Sequence, residues 1–82
     1  MSYASLPPEI QGIVEAELTE KQRIVFVYEC NGWGTMRIAR NLGISPAAVK
    51  NRILLAHNKL EKAGCQQDAN GNWYLSEEVA AA

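Results

Sequence analysis

Cysteine and histidine are scarce in this sequence, and their scarcity excludes several classes of function. The 82 residues contain two cysteines, Cys30 and Cys65, and one histidine, His57. Two cysteines are too few for a disulfide framework, and neither forms a CxxC pair or a metal-ligand spacing with the histidine. No nucleophile and base, and no pair of acids, has a spacing typical of catalysis. The sequence therefore predicts reduced thiols, no metal, no cofactor and no enzymatic activity.

Long apolar segments are also missing. No uncharged apolar run approaches the roughly 20 residues that a membrane-spanning helix needs, and the first residues lack the basic and apolar segments of a signal peptide. Hydrophobic residues nevertheless make up 48% of the chain and charged residues 21%, which is the ordinary globular range. A chain of this length has room for one small core. We therefore expect a single cytoplasmic domain over residues 1–82.

The formal net charge of -1 conceals an uneven distribution along the chain. All eight basic residues lie in residues 19–64, together with only three acidic residues, so this segment has a formal charge of +5. Each of the two flanks carries a charge of -3. Phosphate contacts depend on the local potential within about a Debye length, roughly 8 to 10 Å. The positive charge of residues 19–64 therefore indicates a polyanionic partner, although the net charge of the whole chain is negative.

The first two helices are predicted from a proline pair and a capping box. Proline fits the first turn of a helix, and apolar residues at one-face spacing follow it, so residues 8–17 are predicted as the first helix. Thr19 and Gln22 have the spacing of a capping box, which satisfies free amides at a helix start. The second helix is predicted to continue to about Cys30. We expect its buried stripe to consist of Ile24, Val25 and Tyr28.

The third and fourth helices are separated by a short turn. The third helix is predicted to begin at Gly34 or Thr35 and to end near Leu42. Ser45 and Pro46 pair a preferred N-cap residue with proline at the first helical position, so the fourth helix is predicted from Pro46 to Lys62. Four apolar residues at helical spacing are expected to face inward, namely Val49, Ile53, Ala56 and Leu60.

Three residues in these two helices fit a helix-turn-helix. Ala39 is small enough to let the third and fourth helices approach each other, and Gly43 turns the backbone between them. Val49 is an apolar residue that packs between the two helices. The spacing, the caps and the polarity agree, so the sequence predicts a helix-turn-helix unit.

A short C-terminal hairpin is predicted after the fourth helix. Asn70-Gly71 is a two-residue turn signal between residues 65–68 and 72–75. Trp73 is expected to pin this hairpin to the core, and a further turn is predicted from Ser76. Trp33 is interpreted as a core plug between helices, and His57 as a surface residue.

The central part of the chain resembles region 4 of the sigma-70 family and the related LuxR-type DNA-binding domains. The resemblance covers residues 18–62. The segments that carry it are Leu18-Thr19-x2-Gln22-Arg23-x-Val25, Gly32-Trp33, Ile38-Ala39-x2-Leu42-Gly43-Ile44-Ser45, Val49-Lys50-x-Arg52 and Ala56-x3-Leu60. It implies an all-α fold, a small tetrahelical, winged-helix-like helix-turn-helix domain with four helices, to which the hairpin at 65–75 is added. In sigma factors such a domain reads the -35 promoter element and touches the polymerase flap.

The chain departs from the family pattern in two positions. Arg37 replaces a glutamate that usually precedes Ile-Ala, and Leu55 replaces a residue that is usually basic. The parts of a sigma factor that melt promoter DNA are not among these residues, so we expect a stand-alone module. By analogy, its size is typical of the small repressors and activators of phages and mobile elements.

The fourth helix is interpreted as the recognition helix, with its first half in the major groove. Asn51 is suited to pair with adenine, Lys50 to reach guanine or phosphate, and Leu54 to pack on a thymine methyl. The predicted base contacts are Ala47, Ala48, Lys50, Asn51 and Leu54. The predicted phosphate contacts are Thr35, Arg37, Arg40, Ser45, Arg52 and Lys59.

Two further hypotheses concern partners. One recognition helix covers about half a turn of duplex, so a homodimer on DNA is expected. Leu54 and Leu55 are apolar residues on a face predicted to be wet. They leave open an alternative in which the same fold binds RNA polymerase, a sigma factor or another transcription regulator instead of DNA.

Overall fold

A computed structural model of the chain describes residues 2–76 as four α-helices followed by a two-stranded antiparallel hairpin. A short 3₁₀ turn at Tyr3–Ser5 precedes them. The elements are α1 (Pro8–Glu17), α2 (Glu20–Cys30), α3 (Thr35–Leu42), α4 (Pro46–Lys62), β1 (Cys65–Gln67) and β2 (Trp73–Leu75). The four predicted helices and the fold class are confirmed. The turn predicted after Ser76 lies outside the described residues.

Side-chain caps fix the starts of α2 and α4. The Thr19 hydroxyl accepts a hydrogen bond from the Gln22 amide at 3.2 Å, and Gln22 Oε1 accepts one from the Thr19 amide at 3.1 Å, which completes the predicted capping box. Ser45 Oγ accepts a hydrogen bond from the Ala48 amide at 3.1 Å. Each such cap typically stabilises a helix by about 1 kcal/mol. The polar residues at these two positions therefore decide where the helices begin.

Gly43 makes the turn between α3 and α4. Its backbone is left-handed, with φ of 68°, and its amide and that of Ile44 both donate to the Ala39 carbonyl. A side chain at this φ clashes with the following carbonyl, so glycine is the residue that forms this turn at least cost. Ser45 then starts α4 directly, which sets the two helices of the predicted helix-turn-helix at a fixed angle.

The core divides into two groups of buried apolar side chains, which we call the large cluster and the small cluster. The large cluster joins the N-terminal turn, α1, α2, the second half of α4 and the hairpin. Its members are Leu6, Ile10, Val14, Leu18, Phe26, Ala56, Leu60, Cys65 and Trp73. The small cluster joins α2, α3 and the first half of α4, and consists of Val25, Ile38, Ala39 and Val49. Helix α4 therefore belongs to both.

The buried stripe of α2 differs from the prediction. Ile24 is 37% exposed and Tyr28 is half-buried, whereas Phe26, which was not predicted, is fully buried. The reason is that α2 lies between the two clusters: Val25 packs in the small cluster and Phe26 in the large one. A helix that is buried on two adjacent sides has more buried positions than the periodic pattern for one buried face predicts.

The hairpin forms, but with a different turn. Gln67 pairs with Trp73, so the register excludes a two-residue turn at Asn70-Gly71. Instead the Gly71 amide donates to the Asp68 carbonyl, and the Asp68 carboxylate accepts from the amides of Asn70 and Asn72. Gly71 takes the positive φ of 83°, while Asn70 does not. The aspartate thus selects a three-residue turn with a glycine bulge.

The prediction for Trp73 is confirmed, whereas His57 is less exposed than predicted. Trp73 is 6% exposed and pins the hairpin to the core, as predicted. His57, interpreted as a surface residue, is half-buried: its ring packs edge-on against Phe26 and Trp73, and its Nε2 lies 2.6 Å from a carboxylate oxygen of Glu29. The two partners are 28 residues apart in sequence, so no local pattern could show the pair.

Candidate nucleic-acid interface

The outer face of α4 presents four of the five predicted base-contact residues together. The inner face is committed to the core by Val49, Ala56 and Leu60, which are fully buried, while Ile53 is half-buried beside them. The opposite face is consequently exposed over the first two turns. It carries Ala47, Lys50, Asn51 and Leu54, which follow the i, i+3, i+4, i+7 spacing of one helix face. The fifth residue, Ala48, is half-buried at the margin of this face.

The exposed face begins with the small residues Ala47 and Ala48 and ends with the large apolar residue Leu54. Ala47 and Ala48 project only a methyl group each, so a flat surface can approach the backbone of the first turn closely. Leu54 is 59% exposed, and its neighbour Leu55 is 42% exposed. Both leucines therefore present apolar surface to solvent on the exposed side of α4.

Four of the predicted phosphate contacts lie on α3 and at the start of α4. Arg37 and Arg40 are exposed on α3, and Thr35 is the first residue of that helix. Because the α3 N-cap is Gly34, no side chain caps the first-turn amides of the helix. Ser45 uses its oxygen as the α4 cap acceptor, which leaves its hydroxyl hydrogen free to donate.

Lys59 is set apart from the other predicted phosphate contacts, whereas Arg52 lies in the first half of α4. Both are half-buried on the flank of α4. Lys59 comes 12 residues after Ala47, which at 1.5 Å per residue is about 18 Å along the helix axis. It borders a shallow surface depression of about 270 Å³ together with Glu17 and Lys62. The structure therefore does not bring Lys59 together with the residues at the start of α4.

A stack of side chains beside α3 was missed by the sequence analysis. The Arg37 guanidinium carbon lies 3.7 Å from the centre of the Trp33 ring, and the Trp33 and Tyr28 rings are 4.3 Å apart at 32°. The Tyr28 hydroxyl accepts a hydrogen bond from Asn41 Nδ2 at 3.0 Å. Trp33, predicted to fill the core between helices, packs against the small cluster but is only half-buried. The four-residue spacing of Trp33 and Arg37 at a helix start was the available signal.

The charges at this surface are not neutralised from within the described part of the chain. Over residues 2–76 the ion pair present is that of His57 with Glu29, beside the large cluster, and none involves Arg37, Arg40 or Lys50. The flanks, by contrast, expose acidic residues without a basic one among them: Glu9, Glu15, Glu17 and Asp68. The segregation of charge seen along the sequence thus persists as exposed cations on α3 and α4.

The two cysteines lie away from this surface. Burial, and secondarily the nearby charge of Glu29, raises the pKa of the Cys30 thiol to about 12. Burial likewise raises the pKa of Cys65. A protonated thiol is a poor nucleophile and a poor metal ligand. Within residues 2–76 no group of three or more His, Cys, Asp or Glu side chains is arranged to hold a metal. The helices described over the same residues are too short or too polar to span a bilayer.

The chain matches a known protein family. The family model of sigma-70 region 4 matches residues 16–60, which is more than half of the chain. The matched segment runs from the end of α1 through most of α4 and includes all of the predicted DNA-contact residues. No curated protein and no solved structure matches the chain. The resemblance inferred from the sequence motifs is thereby confirmed.

Proposed function

We propose that this chain, which belongs to the sigma-70 region 4 family, is a sequence-specific transcriptional regulator that inserts α4 into the major groove of duplex DNA. The family is one of DNA-binding helix-turn-helix domains with a role in transcription, and it is not a family of enzymes. The finer proposal rests on one observation above all. The first two turns of α4 expose one continuous face that the fold of residues 2–76 leaves uncovered.

The proposed base contacts follow from the chemistry of that face. Asn51 donates and accepts in the bidentate geometry that matches the adenine edge, and Lys50 donates to guanine acceptors. Ala47 and Leu54 offer methyl groups for thymine. Ala48, at the margin, keeps the leading turn narrow enough to approach the base edges.

The proposed phosphate contacts position the helix without specifying sequence. Arg37 and Arg40 provide charge from α3, and the Thr35 and Ser45 hydroxyls donate near the helix starts. Arg52 and Lys59 provide charge along the flank of α4. Because Lys59 is about 18 Å along α4 from Ala47, it would contact a phosphate well away from those near the start of the helix.

The biological form that we propose is a small repressor or activator of the phage or mobile-element type, acting in the cytoplasm as a homodimer on DNA. Two recognition helices roughly double the length of sequence that is read, which a small regulator needs for useful specificity. We also propose that residues 1–82 act as one domain, because the large cluster joins the flanks to the matched segment. Sedimentation that shows only monomer, with and without DNA, would contradict the dimer.

A second candidate function, binding to RNA polymerase, a sigma factor or another transcription regulator, is favoured by a separate feature. A mostly apolar groove of about 450 Å³ lies between the N-terminal turn, α1 and α2. Its lining residues are Tyr3, Glu15, Arg23, Ile24, Val27 and Tyr28. None of them belongs to α3 or α4, so this groove and the recognition helix use different elements. The exposed Leu54 and Leu55 are the other surface that a protein partner would use.

The two functions are separated by binding to random duplex DNA over a salt series. A DNA-binding protein releases counterions, so its affinity falls steeply as the salt concentration rises. We expect that slope for the unaltered chain. Asn51→Ala should then weaken a selected site by about 1 to 3 kcal/mol and leave random duplex nearly unchanged. Arg40→Ala should weaken all duplexes alike and reduce the salt slope by about one.

Each variant has a matched control in the chain. Asn58 is the same residue type, exposed two turns further along α4, so Asn58→Ala should leave the selected site intact. Arg23 lies in the groove beside α1, so Arg23→Ala removes a charge away from α3 and α4. Equal effects of Asn51→Ala and Arg40→Ala on specific and random DNA would contradict the assigned roles. Absence of salt-dependent binding would favour the protein-binding function.

A further inference from the structure

We propose that Trp33 is a positioning residue for DNA binding, which holds the Arg37 guanidinium in the orientation that receives a backbone phosphate. This inference deepens the proposed function and rests on it. The chain has an arginine at position 37 where the sigma-70 region 4 pattern usually has glutamate, and the structure shows what a cation at that position contacts. Its guanidinium carbon lies 3.7 Å from the centre of the Trp33 ring.

The indole is itself held in place from α2. Its ring is stacked on Tyr28 with a centroid separation of 4.3 Å, and the Trp33 amide donates to the Tyr28 carbonyl at 3.0 Å. Asn41, one turn after Arg37 on α3, donates to the Tyr28 hydroxyl at 3.0 Å. The four side chains form a connected row from Arg37 to Asn41 that passes through α2. Trp33 is therefore a fixed surface rather than a mobile one.

Stacking restrains the arginine without consuming its hydrogen bonds. A guanidinium packs on an aromatic ring through its flat face, whereas its five N–H donors lie in its plane and point outward. Arg37 is exposed, and no carboxylate of residues 2–76 pairs with it. Those donors are therefore available to a phosphate, which the guanidinium matches with two parallel hydrogen bonds. A restrained arginine also loses less rotamer freedom on binding than a free one.

If Trp33 served only to pack against the small cluster, the position of Arg37 over its ring would have no explanation. The small cluster closes through Val25, Ile38, Ala39 and Val49, all of them 4% exposed or less. Trp33 lies at its edge, half-buried, and the side chain that covers its ring is a cation on the proposed DNA-binding surface. An apolar residue would seal this edge equally well, but it would not orient a guanidinium.

The test is a double-mutant cycle measured on random duplex DNA over a salt series. Trp33→Leu should weaken binding about 3- to 10-fold with an unchanged salt slope, because the charge remains and only its orientation is lost. Arg37→Ala should weaken binding and reduce the slope by about one. In the Arg37→Ala background, Trp33→Leu should have no further effect on affinity. Trp33→Phe, which retains an aromatic ring, should restore most of the affinity lost in Trp33→Leu.

A second variant keeps the proposal falsifiable if Trp33→Leu does not fold. Arg37→Lys preserves the charge but lacks the planar group, so it should also weaken binding with an unchanged slope. Affinity equal to that of the unaltered chain in Arg37→Lys, or additive losses in the double variant, would overturn the positioning role alone. Absence of salt-dependent DNA binding in the unaltered chain would overturn the proposed function and this inference together, and it is visible before any variant is compared.

Discussion

The large and small clusters differ in size, origin and task. The large cluster has nine buried side chains, of which five lie outside the segment that matches the family: Leu6, Ile10, Val14, Cys65 and Trp73. The small cluster has four, all of them inside residues 16–60. Buried apolar area contributes most of the stability of a domain. The residues outside the family match therefore supply much of the stability, while the matched segment supplies the helix-turn-helix.

Helix α4 is the element that connects these two tasks. Val49 in its first half packs in the small cluster, and Ala56 and Leu60 in its second half pack in the large one. The exposed face proposed to read DNA lies over the first half. Because the small cluster has only four buried side chains, the position of α4 also depends on the packing of its second half in the large cluster. We therefore expect mutations in the large cluster to change mainly the stability of the fold, and mutations in the small cluster to change the geometry of the helix-turn-helix.

The largest effect is expected from Phe26→Ala. Phe26 is fully buried in the large cluster and packs edge-on against Tyr3, His57 and Trp73. Removing it should lower the free energy of unfolding by about 3 to 5 kcal/mol, which is a large share of the stability of a small domain. Urea denaturation measures this loss. Ile24→Ala, two residues away but 37% exposed, is the control and should cost less than about 1 kcal/mol.

A smaller loss of stability is expected from Ile38→Ala in the small cluster. The predicted cost is in the lower half of about 2 to 5 kcal/mol, because half-buried neighbours such as Trp33 and Ile53 can move into the cavity. DNA affinity, measured by titration where the variant is still folded, should fall because α3 loses its fixed angle to α4. Unchanged affinity in the folded variant would show that the small cluster does not set the recognition geometry. Ile38→Val, the control, should cost only about 0.5 to 1.5 kcal/mol and leave the DNA affinity unchanged.

Two glycine substitutions should have opposite signs. Gly43→Ala places a side chain at φ of 68° in the turn of the helix-turn-helix and should cost about 1 kcal/mol or more. Gly12→Ala adds a methyl in open space within α1 and should stabilise the fold by about 0.5 to 1 kcal/mol. Thermal or urea denaturation of both variants measures the difference. A stabilising Gly43→Ala would mean that the turn does not require the left-handed conformation.

A pH dependence of stability, which appears only above about pH 9, is expected from Cys30, which packs against the large cluster. Its pKa is raised from 9.0 to about 12 in the folded chain, mainly by burial. The unfolded chain therefore loses this proton first as the pH rises, and the stabilisation is complete below about pH 9 and is lost between pH 9 and 12. Unfolding measured from pH 7 to 10.5 should show a steeper alkaline loss in the unaltered chain than in Cys30→Ala. Parallel curves would exclude this contribution.

Local signals in the sequence predicted the elements of this fold with little error. Caps at Thr19 and Ser45, a left-handed glycine at position 43 and the repeat of apolar residues in α4 each act over a few residues. Their physical basis is backbone hydrogen bonding and helix periodicity, which neighbouring residues alone decide. The exposed face of α4 follows from the same periodicity, so the arrangement of four candidate base contacts could also be predicted.

The arrangement between elements could not be predicted in the same way. Phe26 rather than Ile24 is buried because α2 packs between two clusters, and the Asp68 carboxylate changes the hairpin turn through contacts with amides beyond it. His57 meets Glu29 across 28 residues of sequence. Each of these contacts depends on how the helices and the hairpin pack against one another. A short stretch of sequence does not contain that information.

The boundaries of each helix, the family resemblance and the positively charged segment could be read from the sequence, because these properties depend on residues close together in the chain. Tertiary packing, in contrast, was needed to show that the flanks complete the large cluster and that the Arg37 guanidinium carbon lies 3.7 Å from the centre of the Trp33 ring. These properties require side chains from different elements to reach van der Waals distance, and packing alone brings them there.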